Sequence, residues 1–287
     1  MYGNQFKKMR KERKMSLEYV ADQIVSVSTL SRFESGKADI SFAKLIQLLK
    51  RINVSLTQFS KEVETSEGVD RFGFKVTAAY QQNDTIQLSK YCLDKLKLYH
   101  DSGVPQYLYQ AAEANTFLWD LNGKILIRSQ DLQRLIDDIS DTTFWGAREL
   151  HRFGNSIPLL PDDRILRISL MLESNLSEIS LRSLALLDIS YTALLNALNV
   201  LCIRDPEAAL TLWNNLHALS VLPSLTSIRI RRYFFSLMID HLQGIVIDDR
   251  LNRLLGLLRE TDNNELADDF TDAFQRIDKA HQDARSV

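Results

Sequence analysis

The amino-acid sequence predicts an almost entirely α-helical protein. Only 5 of its 287 residues are Pro and 10 are Gly, and apolar residues recur at three- and four-residue spacing over most of the length. No segment requires a strand. With 45% hydrophobic residues, the chain can form a packed core in one large domain or in two unequal ones.

Charge is distributed unevenly along the chain. Residues 1–63 contain twelve Lys or Arg against six Asp or Glu, a net charge of +6, whereas the remaining residues contain 23 basic and 31 acidic side chains, a net charge of −8. A basic segment followed by an acidic one indicates that the first part meets a polyanion and that the second has another role.

The compartment is predicted from two features. The N-terminus is basic, but no apolar stretch follows it as a secretory signal requires, and no run of eighteen apolar residues occurs. We therefore expect a cytoplasmic protein without a membrane partner. The two cysteines, Cys92 and Cys202, lie within apolar helical patterns and are expected to be buried free thiols.

Five short helices are predicted in residues 1–64. The first three span residues 4–13, 17–23 and 27–35, and Ser16 and Ser26 are placed to cap the second and third. Gly36 supplies the left-handed residue that ends the third helix. Two further helices follow. The residues expected to face the core are Phe6, Met9, Val20, Ala21, Leu30, Phe33, Phe42, Leu45, Ile46, Leu49, Leu56 and Phe59.

These segments resemble a known DNA-binding family. Arg10-Lys-Glu-Arg-Lys-Met-Ser-Leu-Glu-Tyr-Val-Ala21 and Ser26-Val-Ser-Thr-Leu-Ser-Arg-Phe-Glu-Ser-Gly36 are similar to the phage-repressor (Cro-like, or XRE) helix-turn-helix. The resemblance implies a partly buried, structural ion pair between Arg10 and Glu34 that joins the first helix to the third. It also implies that the outer face of the third helix touches base edges in the major groove.

Candidate DNA contacts follow from this resemblance. The side chains expected at base edges are Val27, Ser28, Ser31 and Arg32. Arg32 is the strongest of them, because its guanidinium can bond to guanine O6 and N7 together. The side chains expected at phosphates are Lys7, Lys11, Lys14, Ser16, Ser26 and Lys37. Each serine could instead be only a helix cap, and each lysine part of a solvated face. Such domains also occur in antitoxins and cupin fusions.

The rest of the chain is predicted as a linker and a helical-repeat domain. Residues 65–70 interrupt the helical pattern and are assigned to a linker, which gives domains at residues 1–64 and 71–287. The predicted helices of the second domain span residues 71–82, 85–102, 105–120, 130–139, 144–153, 161–173, 177–202, 206–219, 223–244, 248–260 and 264–284.

Acidic residues recur where these helices begin. They occur at Asp84, at Asp162 and Asp163, at Asp205, and at Asp248 and Asp249. A helix macrodipole favours carboxylates at these positions, so we interpret them as caps, not as acid–base pairs. Helical hairpins of about 35 to 45 residues indicate a tetratricopeptide-like α-solenoid, whose concave face suits a peptide.

A second resemblance covers essentially the whole chain. Phe144-Trp-Gly-Ala-Arg-Glu-Leu-His-Arg-Phe-Gly-Asn-Ser-Ile-Pro158, together with Leu30-Ser-Arg-Phe-Glu34, is similar to the Rgg/GadR/MutR family of transcriptional regulators. Ala147 and Arg148 depart from the usual residues of that signature. Trp145, Leu150 and Phe153 are interpreted as core residues rather than ligand contacts. The resemblance implies a homodimer on a palindromic double-stranded DNA operator and, in many relatives, quorum sensing through a short apolar signalling peptide.

A peptide groove would need an apolar floor with amide or guanidinium side chains that satisfy the peptide backbone and its carboxylate. Side chains of suitable chemistry on successive helices form a pool of candidates, each of which could equally be an ordinary surface or interhelical residue. This pool consists of Tyr80, Gln81, Arg148, Arg152, Asn196, Asn199, Arg229 and Tyr233.

The sequence predicts neither an enzyme nor a cofactor or metal site. It contains no Gly-rich phosphate loop, no Gly-x-Ser-x-Gly and no His-Glu-x-x-His, and its five histidines are scattered. The leading hypothesis is a peptide-responsive transcriptional regulator. Two alternatives stay open: an adaptor whose repeat domain binds a protein partner while the first domain tethers it to DNA, and a regulator that needs no ligand.

Overall fold

The computed structural model describes residues 2–66 and 72–285, with side chains over 2–63 and 72–283. Within these residues every regular element is a helix. The chain forms two compact units, Met1–Phe72 and Gly73–Val287, here called the head and the body. The first two residues of the predicted linker, residues 65–70, continue a helix of the head, and the other four lie outside the described residues.

The head contains five helices, as the sequence predicts. They are α1 (Tyr2–Glu12), α2 (Leu17–Ala21), α3 (Val27–Glu34), α4 (Phe42–Arg51) and α5 (Leu56–Ser66). Ser16, Ser26 and Ser41 cap α2, α3 and α4, because each hydroxyl accepts a hydrogen bond from the backbone N–H three residues later. The core of the head includes Phe6, Val20, Leu30, Phe33, Leu48, Leu49 and Phe59.

For two residues of the head, the prediction that they face the core is wrong. Phe42 is 65% exposed and Leu56 is 41% exposed. Both are the first residues of their helices, before the apolar stripe of the helix meets the core. Ile52 and Val54, which the pattern did not assign to the core, are buried instead.

Helices α1 and α3 approach closely at Gly3. A Cβ on Gly3 would lie 1.8 Å from the carbonyl oxygen of Phe33, so this position accepts only a residue without a side chain. At the other end of α3, Gly36 has φ of +71°. This is the left-handed conformation predicted for it, and it ends the helix.

The body contains twelve further α-helices among its described residues. They are α6 (Phe72–Gln81), α7 (Thr85–Ser102), α8 (Pro105–Asn122), α9 (Ser129–Ser140), α10 (Ala147–Gly154), α11 (Asp162–Ser174), α12 (Leu176–Arg182), α13 (Leu184–Arg204), α14 (Pro206–His217), α15 (Thr226–Leu242), α16 (Asp248–Glu260) and α17 (Asn264–Arg285). A single 3₁₀ turn, Ile157–Leu159, joins α10 to α11. Helices α7 and α8 form a closely packed hairpin.

The single helix predicted at residues 177–202 is wrong, because two helices occupy this region. The backbone at Ser183 is extended, with φ of −166° and ψ of 132°, and it separates α12 from α13. The Ser183 hydroxyl accepts a hydrogen bond from Leu186 N at 3.5 Å and so caps α13. Apolar periodicity runs through this position unbroken, so the pattern alone does not reveal the break.

Two other predicted helices begin later than expected. The helix predicted at residues 144–153 begins at Ala147, since Gly146 is its extended N-cap residue. The helix predicted at residues 223–244 begins at Thr226. Trp145, Leu150 and Phe153 are 2% exposed or less, which confirms their interpretation as core residues.

Helix α13 is the central core helix of the body. It packs against α10, α11, α12, α14, α15 and α17. By length and composition it could cross a membrane, but 61% of its apolar window is buried inside the body. Its apolar character is therefore accounted for by packing.

The acidic helix starts behave as predicted. Asp84 accepts a hydrogen bond from Gln87 N at 2.9 Å, and Asp205 accepts one from Ala208 N at 3.0 Å. The remaining carboxylates predicted as caps lie in the first turns of α11 and α16, where the helix dipole favours them.

Cys92 and Cys202 are free and buried, as expected. Burial raises the pKa of both thiols to about 12. Beside Cys92, the fully buried Asn115 accepts hydrogen bonds from Leu126 N at 2.8 Å and Ile127 N at 3.2 Å, and it donates one to Lys124 O at 2.9 Å. Asn115 thereby holds the segment after α8 against the α7–α8 hairpin.

Candidate nucleic-acid and ligand sites

Helix α3 presents one buried and one exposed face. Leu30, Phe33 and Glu34 point into the head. The side chains on its exposed face are the four predicted to contact bases, Val27, Ser28, Ser31 and Arg32. Arg32 forms no side-chain ion pair with a described residue, so its five N–H donors are available to a ligand.

A buried ion pair fixes α3 to α1. Arg10 Nε donates to Glu34 Oε1 at 2.6 Å, and Arg10 Nη2 donates to Glu34 Oε2 at 2.7 Å. Arg10 Nη1 also donates to Met15 O at 2.5 Å. The hydrogen bond with Glu34 raises the pKa of Arg10 against the opposing effect of burial. The two-bond geometry orients α3, and with it the exposed face.

The residues predicted at phosphates are of two kinds, lysines and serines. The lysines are Lys7, which is partly buried, and the exposed Lys11, Lys14 and Lys37. The serines both serve as caps, since Ser16 Oγ accepts from Tyr19 N at 3.2 Å and Ser26 Oγ accepts from Thr29 N at 3.1 Å. Each cap hydroxyl occupies only one backbone N–H of the first turn. The other N–H groups of that turn can still bind an anion such as a phosphate.

Sequence reasoning missed the role of Arg51 in the head. Arg51 Nη1 donates to Tyr19 O at 3.3 Å and Nη2 donates to Asp22 O at 3.1 Å, while the guanidinium carbon lies 5.6 Å from the centre of the Tyr19 ring. Arg51 thus satisfies carbonyls at the end of α2 from the end of α4. No local pattern signals this contact, because it depends on how the two helices pack.

The body contains a cavity of about 490 Å³, here called the central groove. Residues of α6, α8, α10, α13, α17 and the 3₁₀ turn line it. They are Tyr80, Thr116, Phe117, Trp119, Asp120, Gly154, Ile157, Pro158, Asn196, Asn199, Val200, Ile203, Asp269, Asp272, Ala273 and Arg276. A volume of this size lies in the range of small-ligand sites.

Aromatic and aliphatic side chains form the walls of the central groove. The rings of Tyr80 and Phe117 lie 4.8 Å apart between their centres, at an angle of 49°. The guanidinium carbon of Arg204 lies 5.0 Å from the centre of the Trp119 ring. These contacts hold the aromatic walls in place, so the apolar lining is formed before any ligand binds.

Two carboxamides lie on the α13 side of the central groove. Asn196 Oδ1 accepts a hydrogen bond from Arg231 Nη2 at 2.6 Å. Asn199 Oδ1 is buried and accepts no hydrogen bond from the described residues. A buried acceptor without a donor is costly, and a peptide N–H could supply the missing bond.

Carboxylates outnumber cations among the lining side chains. The Tyr80 hydroxyl donates to Asp120 Oδ2 at 2.5 Å, and Arg276 Nη1 donates to Asp120 Oδ1, which joins α6, α8 and α17. Asp269 and Asp272 form no ion pair within the described residues. Burial, and then the charge of Asp272, raise the pKa of Asp269. The sequence-based expectation of guanidinium groups in the groove is met by Arg276 alone among the described lining residues.

The structure separates the pool of predicted peptide-binding residues. Tyr80, Asn196 and Asn199 line the central groove. Arg229 and Tyr233 line a different cavity of about 470 Å³, here called the second cavity.

The other three members of the pool lie outside both cavities. Gln81 and Arg148 are exposed. The guanidinium carbon of Arg152 lies 3.8 Å from the centre of the Tyr109 ring, so this side chain packs within the body.

The polar side chains that α17 contributes to the groove were missed by sequence reasoning. Asp269, Asp272 and Arg276 occupy positions i, i+3 and i+7, which places them on one face of the helix. This spacing is a signal that could have found them. The partner of Arg276, Asp120, lies 156 residues away in sequence, and no local pattern predicts that contact.

The helix-turn-helix family model matches residues 6–59 of this chain. The head is therefore a helix-turn-helix domain.

Solved structures of similar fold cover almost the whole chain. The Streptococcus dysgalactiae SHP pheromone receptor Rgg2 is 17% identical, with a TM-score of 0.72 over 96% of this chain and 99% of that chain. A candidate transcriptional regulator from Listeria monocytogenes EGD-e is 18% identical, with a TM-score of 0.74 over 96% of both chains. The PrgX/cCF10 complex is 16% identical, with a TM-score of 0.67 over 97% of this chain and 92% of that chain.

At these identities the likeness shows a shared fold. The predicted all-α architecture, a helix-turn-helix domain followed by a helical body, is confirmed. The related folds belong to a pheromone receptor and to a candidate transcriptional regulator.

Proposed function

We propose that this protein is a cytoplasmic transcriptional regulator that binds a specific DNA operator through its head and responds to a short apolar peptide bound in the central groove of its body. The observation that carries the proposal is that one chain joins a helix-turn-helix domain to a body with the fold of the SHP pheromone receptor Rgg2. In that body a preformed cavity of about 490 Å³ keeps an unpaired amide oxygen.

The DNA contact is proposed for the exposed face of α3. Arg32 would bond to guanine O6 and N7, and Val27, Ser28 and Ser31 would contact neighbouring base edges. Lys7, Lys11, Lys14 and Lys37, with Ser16 and Ser26, would contact phosphates and position the head without reading sequence. The +6 charge of residues 1–63 supports this role, because an excess of cations attracts DNA.

The peptide contact is proposed for the central groove. Apolar peptide side chains would pack on Phe117, Trp119 and Ile157, and the amides of Asn196 and Asn199 would bond to the peptide backbone. The unpaired Asp269 and Asp272 favour a peptide whose N-terminal ammonium group lies beside α17. Two identical chains on a palindromic operator would place one head in each half-site.

Selection from a random double-stranded DNA pool with the full chain tests the DNA role. We expect a defined site to emerge. Arg32→Ala should lower affinity for that site by about 1–3 kcal/mol while affinity for random DNA stays the same. Lys7→Ala should weaken both DNAs alike and reduce the slope of log affinity against log salt by about one.

Two results would contradict the DNA proposal. One is equal binding of the selected site and random DNA by the wild-type chain. The other is an Arg32→Ala variant that keeps full preference for the selected site. Far-ultraviolet circular dichroism of each variant shows whether its helices are retained.

The peptide role is tested separately. Synthetic peptides corresponding to short open reading frames beside the gene are added to the full chain, and the unfolding temperature is measured. We expect one apolar peptide to raise it, because a ligand that binds only the folded state stabilises that state. If no peptide raises the unfolding temperature and none changes a reporter gene, the peptide part of the proposal fails.

A further inference from the structure

The second cavity differs in chemistry from the rest of the body. It lies between α14 and α15, and its lining includes Trp213, His217, Arg229, Arg232 and Tyr233. Residues 64–287 carry more acidic than basic side chains, yet none of the eight residues that line this cavity is Asp or Glu. The cavity shares no lining residue with the central groove.

The two cations of the second cavity have no carboxylate partner within the described residues. Arg232 Nη1 donates to Leu219 O at 2.6 Å, and Nη2 donates to His217 O, so it satisfies carbonyls at the end of α14. Burial lowers the pKa of Arg232, and the group that acts against this is Tyr191 rather than an acid. Arg229 is exposed and its side chain makes no hydrogen bond or ion pair with the described residues.

Aromatic rings form the other wall of the second cavity. The rings of Trp213 and His217 are stacked, with centres 6.1 Å apart and an angle of 27°. His217 Nδ1 donates to Asn214 O at 3.1 Å, which fixes the imidazole. Tyr233 is 47% exposed, and its ring also lines the cavity. Accessible rings beside two guanidinium groups that lack a carboxylate partner suit a ligand that is both planar and negatively charged.

We propose that the second cavity binds a small aromatic anion, a planar ring carrying a carboxylate or a phosphoryl group. The acid group would bond to Arg229 and to the outward N–H groups of Arg232, and the ring would pack against Trp213. The cavity volume of about 470 Å³ exceeds what an inorganic anion alone would fill. This site is independent of the peptide proposed for the central groove.

Isothermal titration calorimetry of the full chain tests the proposal with four probes. Adenosine 5′-monophosphate and 4-hydroxybenzoate carry a ring with a phosphoryl or a carboxylate group, so they distinguish the two acid groups. Inorganic phosphate lacks the ring, and adenosine lacks the charge. We expect saturable binding of at least one ring-bearing anion, with adenosine and phosphate weaker by about tenfold or more, since each lacks one of the two contacts.

Two arginine variants locate the site. Arg229→Ala should weaken the ring-bearing anion by about tenfold or more, because it removes a charge-assisted hydrogen bond. Arg253→Ala is the matched control, since Arg253 is an exposed arginine of α16 outside the cavity and its loss changes the net charge equally. Trp213→Leu should weaken the ring-bearing anions and leave phosphate binding unchanged. Arg232 is not varied, because its loss also frees the α14 carbonyls.

Several results would overturn the proposal. One is that neither ring-bearing anion shows saturable binding. Another is that Arg229→Ala binds the ring-bearing anion with unchanged affinity. A third is that Arg253→Ala loses as much affinity as Arg229→Ala, which would indicate diffuse charge attraction. Phosphate that binds as tightly as the ring-bearing anions would also overturn it, because no ring contact would then be involved.

Discussion

The head and the central groove of the body differ in how completely their polar side chains are paired. In the head, the Arg10 guanidinium and the Glu34 carboxylate are nearly inaccessible, and each is satisfied by the other. In the body, the central groove contains the buried, unpartnered Asn199 Oδ1 and the exposed carboxylates of Asp269 and Asp272, which form no ion pair with the described residues. The Arg10–Glu34 pair, which is fully partnered, holds the fold, whereas we propose that a ligand supplies the partners of the open polar groups in the central groove.

Two asparagines make the same distinction within the body. Asn115 is fully buried, and both ends of its amide are hydrogen-bonded to the backbone after α8. Asn199 has the same side chain but an acceptor without a donor. Asn115 therefore belongs to the structure, and Asn199 is the residue whose replacement separates a ligand role from a folding role.

The largest effect on stability is expected for the ion pair of the head. Arg10→Ala leaves the Glu34 carboxylate buried and unpaired, which should cost about 3–5 kcal/mol of unfolding free energy in the head. Urea unfolding followed by circular dichroism measures this cost. The double variant Arg10→Met, Glu34→Leu removes both charges and should lose much less. If both variants lose the same unfolding free energy, the unpaired Glu34 charge is not the cause of the loss in Arg10→Ala.

A smaller effect is expected at Gly3. Gly3→Ala places a methyl group 1.8 Å from Phe33 O, so α1 must move away from α3, at a cost of about 1–3 kcal/mol. Gly256→Ala is the matched control, because this helical glycine has no atom within 4 Å of the added Cβ. The control should gain up to about 1 kcal/mol from helix propensity. If Gly3→Ala leaves the unfolding free energy unchanged in the same urea assay, the close approach of α1 to α3 at Gly3 is contradicted.

At neutral pH the smallest stability effect is expected from ionisation of the Cys92 and Cys202 thiols, because this effect develops only in alkaline solution. Their pKa is raised from 9.0 to about 12 by burial, so the folded state keeps the proton that the unfolded state loses. The stability that this provides is complete below about pH 9 and is lost as pH rises towards 12, by at most about 1.4 kcal/mol per pH unit for each thiol. The urea midpoints of the wild type and of the double variant Cys92→Ala, Cys202→Ala should therefore converge or cross as the pH rises from 9 to 12. A constant difference would show that the thiols ionise freely.

The fold was largely predictable because its signals are local. Serine caps, acidic helix starts and Gly36 each act on the adjacent turn, and the structure shows them at those positions. The errors arise where local signals are absent. Ser183 interrupts an apolar pattern that has no gap, and Phe42 is apolar but precedes the part of α4 that meets the core.

The central groove was only partly predictable. Tyr80, Asn196 and Asn199 were found by their chemistry, while Arg229 and Tyr233 of the same pool line another cavity. Side-chain type says what a residue can bind, but not which helices meet around it. The bond between Arg276 and Asp120 depends on the packing of α8 and α17, which no periodicity in the sequence encodes.

The proposal that a peptide in the central groove controls DNA binding by the head is tested most directly by fluorescence anisotropy. The full chain is titrated onto its selected DNA site with and without the apolar peptide that raises its unfolding temperature. We predict that this peptide changes the affinity of the wild type by about 5- to 150-fold. Asn199→Leu should keep the stability and the peptide-free DNA affinity of the wild type but lose this change. A wild-type affinity unaffected by the peptide, or an Asn199→Leu variant that responds fully, would contradict the account.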